Sequence, residues 1–340
     1  MYKGWGMTQT DPTRGTFDIM IVAQSGRLTY EAVLFAASLR HHAPDFAGRL
    51  YVAEPRPGPL WPNDPRPDDD AARDLLNALG ATFLPFENKH FGAAYPHGNK
   101  FEALAAMPPD RPFVFFDTDT LITGPIDQVP FDFNRPSASM EREATWPIPP
   151  LYGPGYDGIW RALYQHFEIP FEPTLDLSEP VDHWQRYLYF NAGWFYYKCP
   201  QVFAAKMLDI MTGVRDATIP ALASQKLYPW LDQIALPLAV STLGGGRPGP
   251  ELSGLDGALT QHWRTMPLFF ACASDETLEK LMEVARPNKV KKVLKAYEPF
   301  KRMIYQNKGT RVRALFDRND LPRQEKQIRN RIKREGLWMR

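Results

Sequence analysis

Cysteine is almost missing from these 340 residues: only Cys199 and Cys272 occur. Two thiols cannot build a disulfide framework, so a reducing compartment suits the chain and the cytoplasm is the expected setting. Long apolar runs are missing too. None approaches the roughly 18 to 20 residues that span a bilayer. The opening stretch, Met1 to Phe17, scatters Lys3, Asp11 and Arg14 among polar residues and lacks an apolar core of the signal-peptide kind. Internal repeats and low-complexity segments are absent as well. With 44% hydrophobic and 23% charged residues, the chain has the composition of an ordinary globular protein that buries a large core.

Net charge is only +1, but it is unevenly spread. From Arg286 to Arg340 there are 18 Lys or Arg against 5 Asp or Glu, and the rest of the chain is acidic. A basic tail of this kind is either a solvated helical face or an attachment to anionic membrane. Its aromatics, Tyr297, Phe300, Tyr305, Phe316 and Trp338, form no stacking platform, so nucleic acid is not an expected partner. Peripheral contact with the inner face of the membrane is the expectation that follows from the Lys and Arg content.

The first 125 residues alternate two periodicities. The apolar run 17–23 reads as a buried strand, 49–53, 81–85 and 112–116 read as further strands, and 28–41, 70–79 and 100–107 read as helices. A βαβαβαβ succession predicts an α/β fold with a mainly parallel sheet covered by helices on both faces. In such sheets ligands gather at the carboxyl ends of the strands. The stretch 129–180, rich in Pro, Tyr and Trp, reads as long loops or a lid. Strand-like composition returns at 188–197, and helices are expected near 200–214 and 230–242. Gly244 to Gly246 marks a loop, and basic helices follow beyond Ser274.

Asp117 and Asp119 stand directly after the apolar strand 112–116. In extended backbone, residues i and i+2 face the same side, so the two carboxylates could share a hard divalent cation such as Mn²⁺ or Mg²⁺. That ion would offset charge on a diphosphate as its bond to a sugar breaks. The competing reading is an Asx turn after the strand. A second pair, Asp68 and Asp70, lies in a Pro- and Asp-rich turn and reads as solvated.

Phe115-Phe-Asp-Thr-Asp-Thr-Leu-Ile-Thr-Gly124 resembles the metal-binding segment of GT-A fold glycosyltransferases, and is most similar to glycosyltransferase family 8. Three further segments match in order: Phe17 to Gln24, Phe190-Asn-Ala-Gly193, and Trp230-Leu-Asp-Gln-Ile-Ala235. The resemblance implies a Rossmann-like GT-A domain over 1–265, with a nucleotide-sugar half at 17–125 and an acceptor half at 126–265. A basic, mainly helical region, 266–340, follows. It implies a metal-dependent hexosyltransferase of polysaccharide biosynthesis, moving sugar from a UDP-type donor to a glycan or lipid-linked acceptor with retention of configuration. Carried over residue by residue, Asp117 and Asp119 bind the metal. Gln24, Lys100 and Asp117 contact the nucleotide sugar, and Asn191, Asp232 and Gln233 surround the transferred sugar.

That family closes its catalytic region with a His-x-x-Gly-x-x-Lys-Pro-Trp segment, which is absent here. His262, in Gln261-His-Trp-Arg264, takes the place of the third metal ligand, and Arg264 takes that of the phosphate-binding Lys. Two rival functions fit less of the sequence. A sugar-nucleotide pyrophosphorylase needs a loop with several glycines after the first strand, and Ala23-Gln-Ser-Gly-Arg-Leu-Thr29 supplies one. A non-catalytic nucleotide-binding or membrane-tethering protein would have no need of the Asp and Asp-Gln pairs.

Overall fold

The computed structural model describes residues 16–109, 111–142 and 145–339. Most of Met1 to Phe17, read above for a leader, lies outside them, as does Arg340. In chain order the strands are β1 (Asp18–Val22), β2 (Leu50–Pro55), β3 (Ala81–Phe86), β4 (Phe113–Phe116), β5 (Thr120–Ile122), β6 (Ser137–Ala138), β7 (Trp194–Tyr197) and β8 (Thr260–His262). The helices of the first two thirds are α1 (Arg27–His42), α2 (Asp70–Ala78), α3 (Asn99–Leu104), α4 (Tyr156–His166), α5 (Pro200–Asp216) and α6 (Leu231–Thr242). Those of the last third are α7 (Met266–Cys272), α8 (Asp275–Ala285), α9 (Asn288–Leu294), α10 (Glu298–Tyr305), α11 (Lys308–Arg313) and α12 (Glu325–Arg334).

The main sheet runs β3-β2-β1-β4-β7-β6. Its first four strands are parallel, as the alternating pattern predicts, and β7 and β6 add antiparallel pairings. Along β1 the side chains alternate between faces. Ile19 and Ile21 join one hydrophobic core with α1, and Met20 and Val22 join a second with the α3, α5 and α6 residues. The sheet therefore separates two cores, each roofed by helices. Parallel strands buried on both faces need continuous apolar sequence, and all five residues of β1 and all six of β2 are buried.

The basic last third folds back onto the α1 side. Leu281, Val284, Val293, Phe300, Ile328, Ile332 and Leu337 are buried in the same core as Ala32, Phe35 and Leu39. Tyr297 stacks on Tyr30 with ring centroids 5.1 Å apart. The basic residues thus line the outer side of helices whose inner side is core.

Three expectations need correction. Within 129–180 the chain forms α4, whose Ile159, Trp160, Leu163 and Tyr164 are buried at helical spacing, and the short strand β6. Trp146 and Trp160 there are core, both about 1% exposed and meeting edge to face at 5.2 Å, whereas Tyr152 is exposed. The strand expected over 188–197 is reduced to β7. Before it, Ala192 has φ of 58°, and the Asn191 side chain takes the Gly193 N–H at 2.6 Å, which breaks the extended run. Finally, the backbone bends at Thr118 and Asp119 instead of continuing β4. β5 then leaves the main sheet and pairs antiparallel with β8, which the sequence did not announce.

Candidate active site

The bend after β4 places Asp117 at the carboxyl end of the central parallel strands. The β5–β8 pairing sets Thr120 opposite His262, and the Trp263 N–H donates to the Asp119 carbonyl at 2.9 Å. Residues far apart in the chain are thereby held beside each other. His262 Nε2 lies 3.1 Å from Asp119 Oδ1 and 3.9 Å from Asp117 Oδ2. Asp117, Asp119 and His262 each offer one ligand atom, and these atoms all lie within 4.8 Å of one another. Two carboxylates and an imidazole at that spacing fit a single divalent cation, with coordination positions left over for phosphate oxygens.

The electrostatics are those of mixed charges held close together. Burial alone would raise the Asp119 carboxyl, but His262 and Arg27 outweigh it and keep it well below the usual carboxylate range. For Asp117 burial wins over Lys100 and His262, and the carboxyl titrates higher than usual. Burial would lower the His262 imidazole, yet the attraction of Asp119 and Asp117 raises it.

Lys100, on α3, is buried rather than solvated. Its Nζ donates to Asp117 Oδ1 at 3.0 Å and to the Ala192 carbonyl at 3.3 Å, and stands 3.3 Å from Asp232 Oδ2. Burial lowers its pKa, but the two carboxylates more than compensate and it stays charged. Asp232 sits in the first turn of α6 without capping it. Its backbone N–H donates to the Tyr95 hydroxyl at 3.0 Å, and that hydroxyl lies 2.7 Å from Asp232 Oδ1. Gln233 accepts from the Tyr189 hydroxyl at 2.6 Å. Asn191 takes the Gly193 N–H and reaches the Glu141 carbonyl, so it forms a turn and also faces the open side of the site.

Two cavities meet at the Asp117–Asp119–His262 cluster. One, of about 240 Å³, is lined by Gln24, Arg27, Asn99, Lys100, Asp117 and Asp119 among others. The second, of about 880 Å³, opens on Asn191, His262 and Arg264. Arg264 has φ of 56° and directs its guanidinium to Glu325 at 2.8 Å, so its charge is shared with α12. The sequence-derived residues therefore divide: Gln24, Lys100, Asp117 and Asp119 on one side, Asn191 and Arg264 on the other, with His262 at the junction.

Sequence reasoning missed several participants. Arg27 begins α1 and places Nη1 3.7 Å from Asp119 Oδ2. Among the described residues, the buried Asn99 Nδ2 has no partner and belongs to the smaller cavity's lining. Gly193 holds the Asp117 N–H through its carbonyl at 2.8 Å, while a Cβ added to it would stand 2.7 Å from His262 Nδ1. Only the Asn-Ala-Gly run hinted at this glycine; Arg27 and Asn99 carried no motif.

Residues 19–244 match the family model of the Rhodobacterales glycosyltransferase domain. No curated protein matches. Among solved structures, the galactosyltransferase LgtC in complex with donor and acceptor sugar analogues is 15% identical, covering 68% of this chain and 73% of its own, with a TM-score of 0.41. The bifunctional glycosyltransferase WbbM is 13% identical over 84% of this chain and 52% of its own, at a TM-score of 0.45. GlyE of Streptococcus pneumoniae is 12% identical over 69% of this chain and 46% of its own, at a TM-score of 0.37.

Proposed function

This chain belongs to the Rhodobacterales glycosyltransferase domain family, and from that premise we propose that it moves a hexose from a UDP-sugar to a glycan or lipid-linked acceptor in a metal-dependent, retaining reaction. The observation that carries the reading is the Asp117–Asp119–His262 cluster, with its ligand atoms within 4.8 Å of one another. Both carboxylates suit Mg²⁺ or Mn²⁺, and the imidazole, a softer donor than Mg²⁺ favours, tips the choice to Mn²⁺. When bound, the ion would neutralise the donor diphosphate and the charge gained by the departing nucleotide.

The chain's own residues do the positioning. Gln24 and Asn99 line the smaller cavity, where the nucleoside fits, and Arg27 adds a planar cation toward the phosphates. Lys100 ties Asp117 to Asp232, so the metal side and the sugar side of the site move as one unit. Asp232, Gln233 and Asn191 supply hydroxyl-binding groups for the transferred sugar. Asp232 is engaged at both oxygens, by Tyr95 and Lys100, which favours an orienting role over attack on the anomeric carbon. A front-face displacement, with the leaving phosphate taking the acceptor's proton, asks for this kind of positioning and no strong base.

Melting curves with UDP, Mn²⁺ and both together test the reading, since a ligand specific to the native state raises its apparent stability. The wild-type protein should be stabilised most by UDP and Mn²⁺ together, and Asp119→Ala should lose that synergy. Equal stabilisation by UDP with and without metal would remove the metal from the donor site. Among the described residues no helix is long and apolar enough to cross a membrane. Contact with a membrane bearing a lipid-linked acceptor would run through the basic surface of α9 to α12.

A further inference from the structure

We propose that the acceptor of this transferase carries an anionic group, a phosphate or carboxylate, bound in the larger cavity between β8 and α12. The inference rests on the reading above only for the word acceptor; the anion site itself stands on the geometry. That cavity, of about 880 Å³, opens directly on His262 and Asn191. Its lining includes six cations: Arg142, Arg264, Arg323, Lys326, Arg329 and Lys333. Among the described residues only two carboxylates, Glu141 and Glu325, share it.

Glu325 is already used, since it accepts from both Arg264 and Arg329. Arg323, Lys326 and Lys333 are exposed and have no carboxylate partner among the described residues. Across the cavity Arg142 lies over the rings of Trp184, at 4.4 Å, and Tyr189, at 5.3 Å. Its Nη1 is buried without a hydrogen-bond partner among the described residues. A buried guanidinium N–H left unpaired is costly unless a ligand completes it. Tyr189 in turn holds Gln233, so Arg142 is linked to the sugar end of the site.

A neutral glycan would gain nothing from this surplus of cations, because sugar hydroxyls are read by neutral donors, acceptors and aromatic faces. A concave wall of one charge concentrates oppositely charged ligands, and guanidinium groups match oxyanions bidentately. Among the described residues lining the smaller cavity, the cations Arg27 and Lys100 are held by Glu31, Asp117, Asp119 and Asp232. The spare positive charge lies on the acceptor side.

The test is calorimetric titration of inorganic phosphate, and separately of glucuronate, into the full chain with and without saturating Mn²⁺ and UDP. Phosphate should bind with UDP already in place. The triple variant Arg323→Gln, Lys326→Gln, Lys333→Gln, all at exposed positions, should weaken that binding tenfold or more and leave UDP affinity within twofold. Arg142→Gln should weaken it as well. The proposal is overturned if phosphate does not bind, if it displaces UDP, or if the triple variant loses UDP affinity instead. Phosphate binding without any UDP binding would keep the anion site and refute the donor site. Phosphatidylcholine vesicles with and without phosphatidic acid separate the sources. Capture that needs phosphatidic acid and the three cations points to a lipid-borne phosphate, and phosphate binding without capture points to a soluble acceptor.

Discussion

Gly193→Ala is the most searching perturbation of the site, because it removes no ligand and no charge. The added Cβ would stand 2.7 Å from His262 Nδ1 and 3.1 Å from its Cε1, where ordinary contact begins at 3.4 Å. With two ring atoms blocked, turning the imidazole about its own axis gives no relief. The ring must retreat by about 0.7 Å, whereas metal–ligand distances tolerate about 0.2 Å. The Cβ would also press on Asn191 Oδ1 at 2.9 Å, the acceptor of the Gly193 N–H. Disturbing groups that orient a metal ligand typically costs about 10- to 100-fold in metal affinity, or about 1.4 to 2.8 kcal/mol. The overpacking itself should lower stability by about 1 to 3 kcal/mol. Titration of Mn²⁺ into the UDP-bound protein reads the first quantity, and urea unfolding without metal reads the second. Mn²⁺ affinity within twofold of wild type would refute the claim that Gly193 fixes His262 as the proposed third ligand.

Other outcomes follow from the same geometry. Lys100→Met strands two carboxylates, one of them buried, and should cost about 3 to 5 kcal/mol in urea unfolding. Tyr95→Phe removes the hydroxyl shared by Asp232 and the Pro229 carbonyl and should cost about 1 to 3 kcal/mol by the same measurement. The His262 pKa is raised above its ordinary 6.5. Its contribution to metal-free stability is thus complete below about 6.5 and is lost as pH rises through the raised value. Mn²⁺ competes with that same proton, so its affinity should rise over the window in which metal-free stability falls. Calorimetry and melting curves across that window check both signs. Ile332→Ala, on α12, should cost about 2 to 5 kcal/mol and lower the single melting transition of the whole chain, since Ile332 is fully buried in the α1 core.

The sequence foretold what depends on short-range pattern. The stretches 17–23, 49–53, 81–85 and 112–116 become β1 to β4, and the helix expected over 70–79 ends at Ala78, ahead of Gly80 with its φ of 74°. The Asp pair is legible because it ends a strand. His262 was reached by asking what a missing segment must be replaced by. What stayed hidden depends on long-range placement. The β5–β8 pairing joins Asp119 to His262 across 143 residues, and no local period encodes it. Arg27 looks like any helix-opening cation until Asp119 is folded next to it. In α4 the helical spacing of Ile159, Trp160, Leu163 and Tyr164 was present but was outweighed by surrounding prolines. Asp232, expected beside the transferred sugar, is also a buried partner of Lys100, a contact that only the packing of α3 against α6's neighbours creates.

The family-matched stretch stops at residue 244, short of His262 and of α12. The proposed chelating triad thus takes its two carboxylates from inside that stretch and its imidazole from the continuation that also walls the larger cavity. On the proposed reading, grafting that continuation from one relative to another would transplant a metal ligand and an acceptor-facing surface in a single cut. On that reading, recombination at the joint would alter acceptor choice and ion affinity together and leave the smaller cavity, lined by residues 22 to 119, untouched.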